Sequence, residues 1–210
     1  MGIGAWYEDK IVPRIIKCGC RSENIMELRE QVIPLAAGRV FELGCGAGIN
    51  QRYYDAAKVE NFAGIDPSAK LLQFAQEEVQ RKGMDADIRL GFGEAIPFDD
   101  DSFDTVVSTF TLCSVNDQGQ SLRELRRILK PGGKMLFVEH GRAPDAAVQK
   151  WQRRIEPVWR KLMGNCHLSR PIAQAVEAAG FSVTALGQKY MDKAPRFAGW
   201  VEWGSAQKVP

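Results

Sequence analysis

Glu42-x-Gly44-x-Gly46-x-Gly48 follows the apolar run Arg39-Val40-Phe41, and Asp66 closes a second such run, Glu60-Asn61-Phe62-Ala63-Gly64-Ile65. These residue types suit a nucleotide-like cofactor. Glycines let the backbone bend sharply and approach a ligand without a Cβ in the way, and a helix starting at Ile49-Asn50-Gln51 offers free N–H groups to an anion. An acid about twenty residues beyond the glycines stands where a βαβ unit sets a carboxylate against ribose hydroxyls. A dinucleotide fingerprint needs glycine at position 49, where this chain has isoleucine, so the NAD pattern fails. Asp66 also reads as the N-cap of the next helix, with Pro67 at its first position, where a missing N–H costs nothing.

Stepping outward along the chain, Ala86–Leu90 reads as a third strand and Phe103–Thr109 as a fourth, both ending at the same sheet edge as Asp66. Leu122, Leu125, Ile128 and Leu129 give residues 118–130 a helical period that stops at the turn Pro131-Gly132-Gly133. Lys134–Glu139 is a fifth strand, 146–163 and 169–179 are further helices, the second with Ser169 as N-cap and Gly180 as C-cap, and 181–186 and 197–208 close the sheet. Alternation of this kind requires an α/β fold with a doubly wound, mostly parallel sheet, here seven-stranded and Rossmann-like. The segment from Trp6 to Pro34 carries apolar residues at helical spacing and reads as an N-terminal helical lid. Residues 1–210 are expected to form a single domain: lid 1–35, cofactor-binding half 36–140 and substrate-side half 141–210.

Charge is nearly balanced, 28 basic against 26 acidic residues, which argues against a surface dedicated to nucleic acid. Cysteines at 18, 20, 45, 113 and 166 lack zinc-ribbon spacing and stand in a chain without a secretory leader, so the cytoplasm is the expected compartment and no metal is expected. No run is apolar enough to span a bilayer. The short apolar stretch Ile11–Ile16 with basic flanks leaves room for a weak membrane-surface association, although Pro13 interrupts it.

The glycine motif, followed by Gly93-Glu94-Ala95-Ile96-Pro97-Phe98, Ser102-Phe103-Asp104 and Leu129-Lys130-Pro131-Gly132-Gly133, resembles class I S-adenosylmethionine (AdoMet) methyltransferases related to the ubiquinone C-methylases over about residues 38–140. Phe92 replaces the Asp that usually holds the adenine amino group in that group, leaving Gly93 and Glu94 as candidates. Further along, Ser108–Val115, Glu139-His140, Trp151-Gln152, Glu156-Pro157-x-Trp159 and Gly164–Arg170 resemble the alkyl thiol S-methyltransferase group of the methyltransferase-like proteins. That resemblance implies methyl transfer from AdoMet to the sulfur of a small hydrophobic thiol, with S-adenosyl-L-homocysteine as product. An O- or C-methylated phenol or quinol is the alternative, and a non-catalytic AdoMet-binding scaffold at a membrane surface is the rival from another class. The exit of the fourth strand, Thr109-Phe110-Thr111-Leu112, lacks the Asn-Pro-Pro-Tyr-like run of enzymes that methylate base amines, so DNA methylation is not expected.

The cofactor is therefore expected to contact Glu42, Gly44, Cys45, Gly46, Gly48 and Asn50 around the first turn, Asp66 and Pro67 after the second strand, Gly93 and Glu94, and Thr109 and Cys113 after the fourth, with Tyr7 of the lid closing over the methionine carboxylate. His140, at the end of the fifth strand, is the candidate base or orienting group, with Glu139 beside it to set its tautomer or hold the lid. Cys113 also reads as a small buried hydrophobe, His167 as a loop residue, and Trp151, Trp159, Trp200 and Trp203 as core and pocket walls.

Overall fold

A computed structural model describes residues 22–209. Tyr7, Cys18, Cys20 and the first part of the expected lid lie outside them. Helix α1 (Glu23–Val32) leads through a 3-10 turn (Ile33–Leu35) into β1 (Gly38–Leu43), and a second 3-10 turn (Ile49–Tyr53) follows the glycines. Next come β2 (Val59–Asp66), α2 (Ala69–Lys82), β3 (Ala86–Leu90), β4 (Phe103–Thr109), α3 (Gln118–Ile128) and β5 (Leu129–His140). The chain finishes with α4 (Ala146–Leu162), α5 (Ile172–Ala178), β6 (Phe181–Tyr190), the helical turn α6 (Arg196–Gly199) and β7 (Trp200–Lys208). The seven strands lie in the order β3-β2-β1-β4-β5-β7-β6. β1 to β5 pair in parallel, and β7 runs antiparallel between β5 and β6.

Alternation along the strands splits the core into two layers. Val40, Val107, Leu136 and Val138 point to the face covered by α1 (Ile25, Leu28, Val32) and α2 (Leu72, Ala75, Val79). Phe41, Leu43, Val106, Met135 and Phe137 point to the other face, covered by α3 (Leu122, Leu125, Ile128) and α5 (Ile172, Val176). With both faces buried, the strands read as continuous apolar runs. The second half of the expected lid is thus a core helix, because its apolar stripe packs on the sheet. The parallel strands turn to opposite sides of the sheet after β1 and β4, which leaves a crevice beyond their C-terminal ends.

Several local readings shift. Helix α2 starts two residues later than expected: Ser68 is the N-cap, its Oγ accepting from Leu71 N–H, while the Asp66 carboxylate accepts from Ser68 N–H at 2.8 Å. Ser169 caps nothing. It binds Glu156 through both Oγ (2.7 Å) and N–H (2.8 Å), and α5 begins after Pro171. The Pro131-Gly132-Gly133 turn is absorbed into β5 as an irregularity, where the partner sequence jumps from Phe103–Leu129 to Thr105–Lys134 and Gly132 takes φ +74°. Among the described residues no helix is long and apolar enough to cross a membrane.

Leu125 is fully buried beneath the sheet. Leu125→Ala is expected to destabilise the fold by about 2–5 kcal/mol, read as a lower urea midpoint at unchanged slope.

Candidate active site

The crevice holds a cavity of about 870 Å³. Its floor is the turn after β1. Gly44 has φ +66°, and a Cβ there would meet Thr111 Oγ1 at 2.2 Å, so this position excludes any side chain. Gly46, at φ +52°, donates its N–H to Asp66 Oδ2 at 3.0 Å. Asp66 is almost wholly buried and lines the cavity with one bond on each oxygen, Gly46 N–H on one and Ser68 N–H on the other. Each oxygen keeps capacity for a further donor. Burial pushes its pKa up, against those two hydrogen bonds.

Beneath the turn lies a buried polar network. Glu42 accepts from Asn50 Nδ2 (2.7 Å) and from the Tyr54 hydroxyl (2.8 Å). Asn50 Nδ2 also donates to Thr109 Oγ1 at 3.0 Å. Arg29 of α1 donates from Nη1 to Asn50 Oδ1 and, at 2.8 Å, to Thr109 Oγ1, while its Nε is buried without a partner among the described residues. Burial raises the Glu42 pKa to about 7, opposed by the Tyr54 and Asn50 hydrogen bonds and by the charge of Arg29. Arg29 lines the cavity and escaped the sequence reading. Its signal was a cation four residues after Ile25, on the apolar stripe of Ile25, Leu28 and Val32.

Of the expected cofactor contacts, Glu42, Gly44, Cys45, Gly46, Asp66, Pro67, Gly93, Glu94 and Thr109 all line the cavity. Gly48 and Asn50 stand behind its wall: Gly48 N–H closes the turn onto Cys45 C=O at 2.9 Å, and Asn50 supports Glu42. Glu94 ties the wall to the start of α3 by accepting from Asp117 N–H at 2.9 Å. Burial raises the Cys45 thiol well above its ordinary value, which makes it a wall atom and not a nucleophile.

The far wall is built by the loop after β4 and by the α4–α5 connection, through Phe110, Thr111, Ser114, Val115, Asn116 and Gly164-Asn165. Glu139 holds that loop. It is fully buried and accepts from Ser108 Oγ (2.7 Å) and from the N–H groups of Thr111 (3.0 Å), Leu112 (3.0 Å) and Cys113 (3.2 Å). These four partners all come from the end of β4 and the loop after it, so Glu139, expected to set the His140 tautomer or hold the lid, instead shapes this loop. His140 and Cys113 are not among the residues that line the cavity. The His140 ring packs edge-on against Phe110, with centroids 5.1 Å apart, and its Nδ1 lies 3.6 Å from Cys166 Sγ. Hydrogen bonding from Cys113 holds the Cys166 thiol low, with His140 adding to it, and the same contact pushes Cys113 up. His167 Nδ1 is 3.3 Å from Glu156 Oε1, and burial lowers its pKa. None of the four tryptophans expected as pocket walls lines the cavity: Trp151 is exposed, Trp159 packs on Phe197, Trp200 on Tyr190, and Trp203 fills the space over Gly187. Apolar character reached them at helix and strand positions whose direction only the packed fold sets.

An AdoMet molecule fits these residues: a buried carboxylate with spare acceptor capacity, a turn with no room for a Cβ at Gly44, and a buried guanidinium whose Nε has no partner among the described residues. This parallel-sheet crevice, with its glycine turn and a buried acid at the end of the neighbouring strand, has the layout of a class I methyltransferase site. The methyltransferase-domain family model matches residues 41–137. The chain is 35% identical over 152 residues to Thiol S-methyltransferase TMT1B of Rattus norvegicus, covering 70% of this chain and 61% of that protein. It is 32% identical over 166 residues to Thiol S-methyltransferase TMT1A of Homo sapiens, covering 77% of this chain and 67% of that one. It thus spans about three fifths to two thirds of the length of these relatives. The crystal structure of the YcgJ protein of Bacillus subtilis shares the fold, with TM-score 0.69, 18% identity, and 89% of this chain and 98% of that one covered. The chain belongs to the class I AdoMet-dependent methyltransferases, in the family of these thiol S-methyltransferases.

Two outcomes follow from this geometry. Asp66→Ala is expected to weaken AdoMet binding by about 10–100-fold, the loss of hydrogen bonds to a charged acceptor, with the circular dichroism spectrum unchanged; calorimetric titration reads it. Glu42 gains its proton on folding, since its pKa rises from 4.5 to about 7. Its contribution to stability is therefore full below about pH 4.5 and is lost as pH rises through about 7. Urea midpoints measured across that window are expected to fall more steeply in the parent than in Glu42→Gln.

Proposed function

We propose that this chain methylates the sulfur of small hydrophobic thiols, with AdoMet as donor. The observation that carries this reading is the chemistry of the far wall. Among the described residues, Phe110, Thr111, Ser114, Val115, Asn116, Gly164 and Asn165 bring no carboxylate, imidazole or amine to that side of the cavity. An acceptor there must ionise without a base from these residues. A thiol with a pKa of roughly 8.5 is a few per cent ionised near neutrality, whereas a phenol near 10 needs a base. The thiol S-methyltransferase relatives support the same choice.

When bound, AdoMet supplies a methyl group on a sulfonium, whose displacement in line depends mainly on alignment. The chain's residues provide that alignment. Asp66 takes the ribose hydroxyls, Arg29 and the Glu42 network hold the amino-acid end, and Gly93 with its neighbours borders the adenine. Phe110 and Val115 give the acceptor an apolar surface, and Thr111, Ser114 and Asn116 offer polar atoms that orient it without removing a proton. His140, behind Phe110, acts as a positioning residue for this wall. We place the reaction in the cytoplasm, since Cys45, Cys113 and Cys166 are free thiols, as suits a reducing compartment. The cavity volume suits a cofactor together with one small acceptor.

Transfer of labelled methyl to an alkyl thiol, a phenol and a quinol of similar size tests the acceptor. Product from the thiol alone is expected; product only from oxygen or carbon would sink the thiol reading. For two thiols of different acidity, kcat/KM is expected to rise with pH to an inflection that follows each thiol's own pKa. An inflection at one fixed pH for both would reveal a base on the protein.

A further inference from the structure

Behind the far wall sits a cluster that methyl transfer does not use. Cys113 from the loop after β4, His140 at the end of β5 and Cys166 from the α4–α5 connection bring their donor atoms within 4.8 Å of one another. Cys113 Sγ is 3.7 Å from Cys166 Sγ, and Cys166 Sγ is 3.6 Å from His140 Nδ1. Both cysteines are buried, at 1% and 6% exposure. The far nitrogen of His140, Nε2, is buried without a partner among the described residues.

We propose that Cys113, Cys166 and His140 form a binding site for a thiophilic divalent cation, Zn²⁺ foremost. The spacing supports it. Bonds of about 2.3 Å to sulfur and 2.0–2.1 Å to nitrogen, set at tetrahedral angles, place two sulfurs about 3.8 Å apart and sulfur and nitrogen about 3.6 Å apart. Two edges of that tetrahedron are therefore already formed, and a small side-chain rotation closes the third. Charge supports it as well. Zn²⁺ displaces a proton from each thiol and binds two thiolates and a neutral imidazole, so the buried site is neutral overall. Next to it, the Glu139 carboxylate and the Arg170 guanidinium, which donates to Leu112 C=O at 2.7 Å, carry opposite charges.

The backbone holds the ligands in place independently of a cation. Cys113 N–H donates to Glu139, Cys113 C=O accepts from His167 N–H at 2.7 Å, and Cys166 N–H donates to Met163 C=O at 3.2 Å. Two cysteines and one histidine make three protein ligands, the number found where a fourth position stays open to water or substrate. The cluster lies one layer behind the cavity: Ser114 and Asn165, chain neighbours of two ligands, line it, and Phe110 packs edge-on against the third. A cation here ties together the three segments that shape the acceptor wall and leaves the ribose side of the site untouched.

The full chain, purified under reducing conditions without chelator, is assayed for zinc by mass spectrometry. After metal removal it is titrated with Co²⁺, whose thiolate charge-transfer and tetrahedral ligand-field bands report the ligand set. One equivalent of zinc is expected, with Co²⁺ bands that Zn²⁺ abolishes. Cys113→Ser and Cys166→Ser are each expected to lower affinity at least tenfold, and His140→Ala to shift the ligand-field bands. The Cys18→Ser/Cys20→Ser double variant is expected to keep the full equivalent. The parent Co²⁺ spectrum stands even if a variant fails to fold, and circular dichroism identifies that case. Absence of thiolate bands in the parent overturns the proposal, as does loss of metal in the Cys18/Cys20 variant alone. A Cys113–Cys166 disulfide in the isolated protein, with no metal uptake after reduction, makes the cluster a redox pair and overturns it too.

Discussion

The buried contact between Arg29 and the Glu42–Asn50–Thr109 group is the constraint on which the site depends. It joins α1, β1, the 3-10 turn after the glycines and β4 at one point below the cavity. Taking the guanidinium out of water costs several kcal/mol, and leaving a buried donor or acceptor unsatisfied costs about 1–3 kcal/mol. The arrangement persists because nearly every polar atom in it is answered: Glu42 by an amide and a phenol, Thr109 by a guanidinium and an amide. The unpartnered Arg29 Nε is the exception, and it belongs to a residue on the cavity wall. A network that is satisfied toward the protein and incomplete toward the cavity is organised for a ligand.

Three carboxylates near the C-terminal ends of the parallel strands β1, β2 and β5 show how surroundings divide one kind of group among tasks. Glu42 carries two hydrogen bonds in full burial and has its pKa raised to about 7. Asp66 carries two backbone hydrogen bonds and keeps lone pairs at the cavity. Glu139 accepts four hydrogen bonds, all from the loop it shapes, and has little capacity left for anything else. Only the number and direction of nearby donors separate a ligand-binding acid from a structural one.

The far wall is governed by the same economy of charge. The Glu139-bound loop places Phe110 between His140 and the cavity, so the imidazole is turned toward the two cysteines and away from the acceptor. What remains for the acceptor is an apolar face with neutral polar atoms. On the proposed reading, such a surface favours a nucleophile that ionises unaided.

The parallel strand-helix alternation, the left-handed glycine turn and the acid at the end of β2 were legible in the chain because each is a local matter. Strand and helix periods, missing Cβ atoms and an acid at a strand end all act within a few residues or one βαβ unit. The helix-start readings at Pro67 and Ser169 differ from the fold because Ser68 caps α2 while Asp66 turns one oxygen to Gly46 N–H across the glycine turn, and because Ser169 binds Glu156. Tertiary structure alone decided that Arg29 reaches the cavity 80 residues from Thr109, that Glu139 serves the β4 loop, and that Cys113, His140 and Cys166 meet. Side-chain direction at those positions is set by which face of the sheet each strand residue takes and by how the connections fold over its edge. No window of sequence contains that information, since the partners are brought together only when both layers pack.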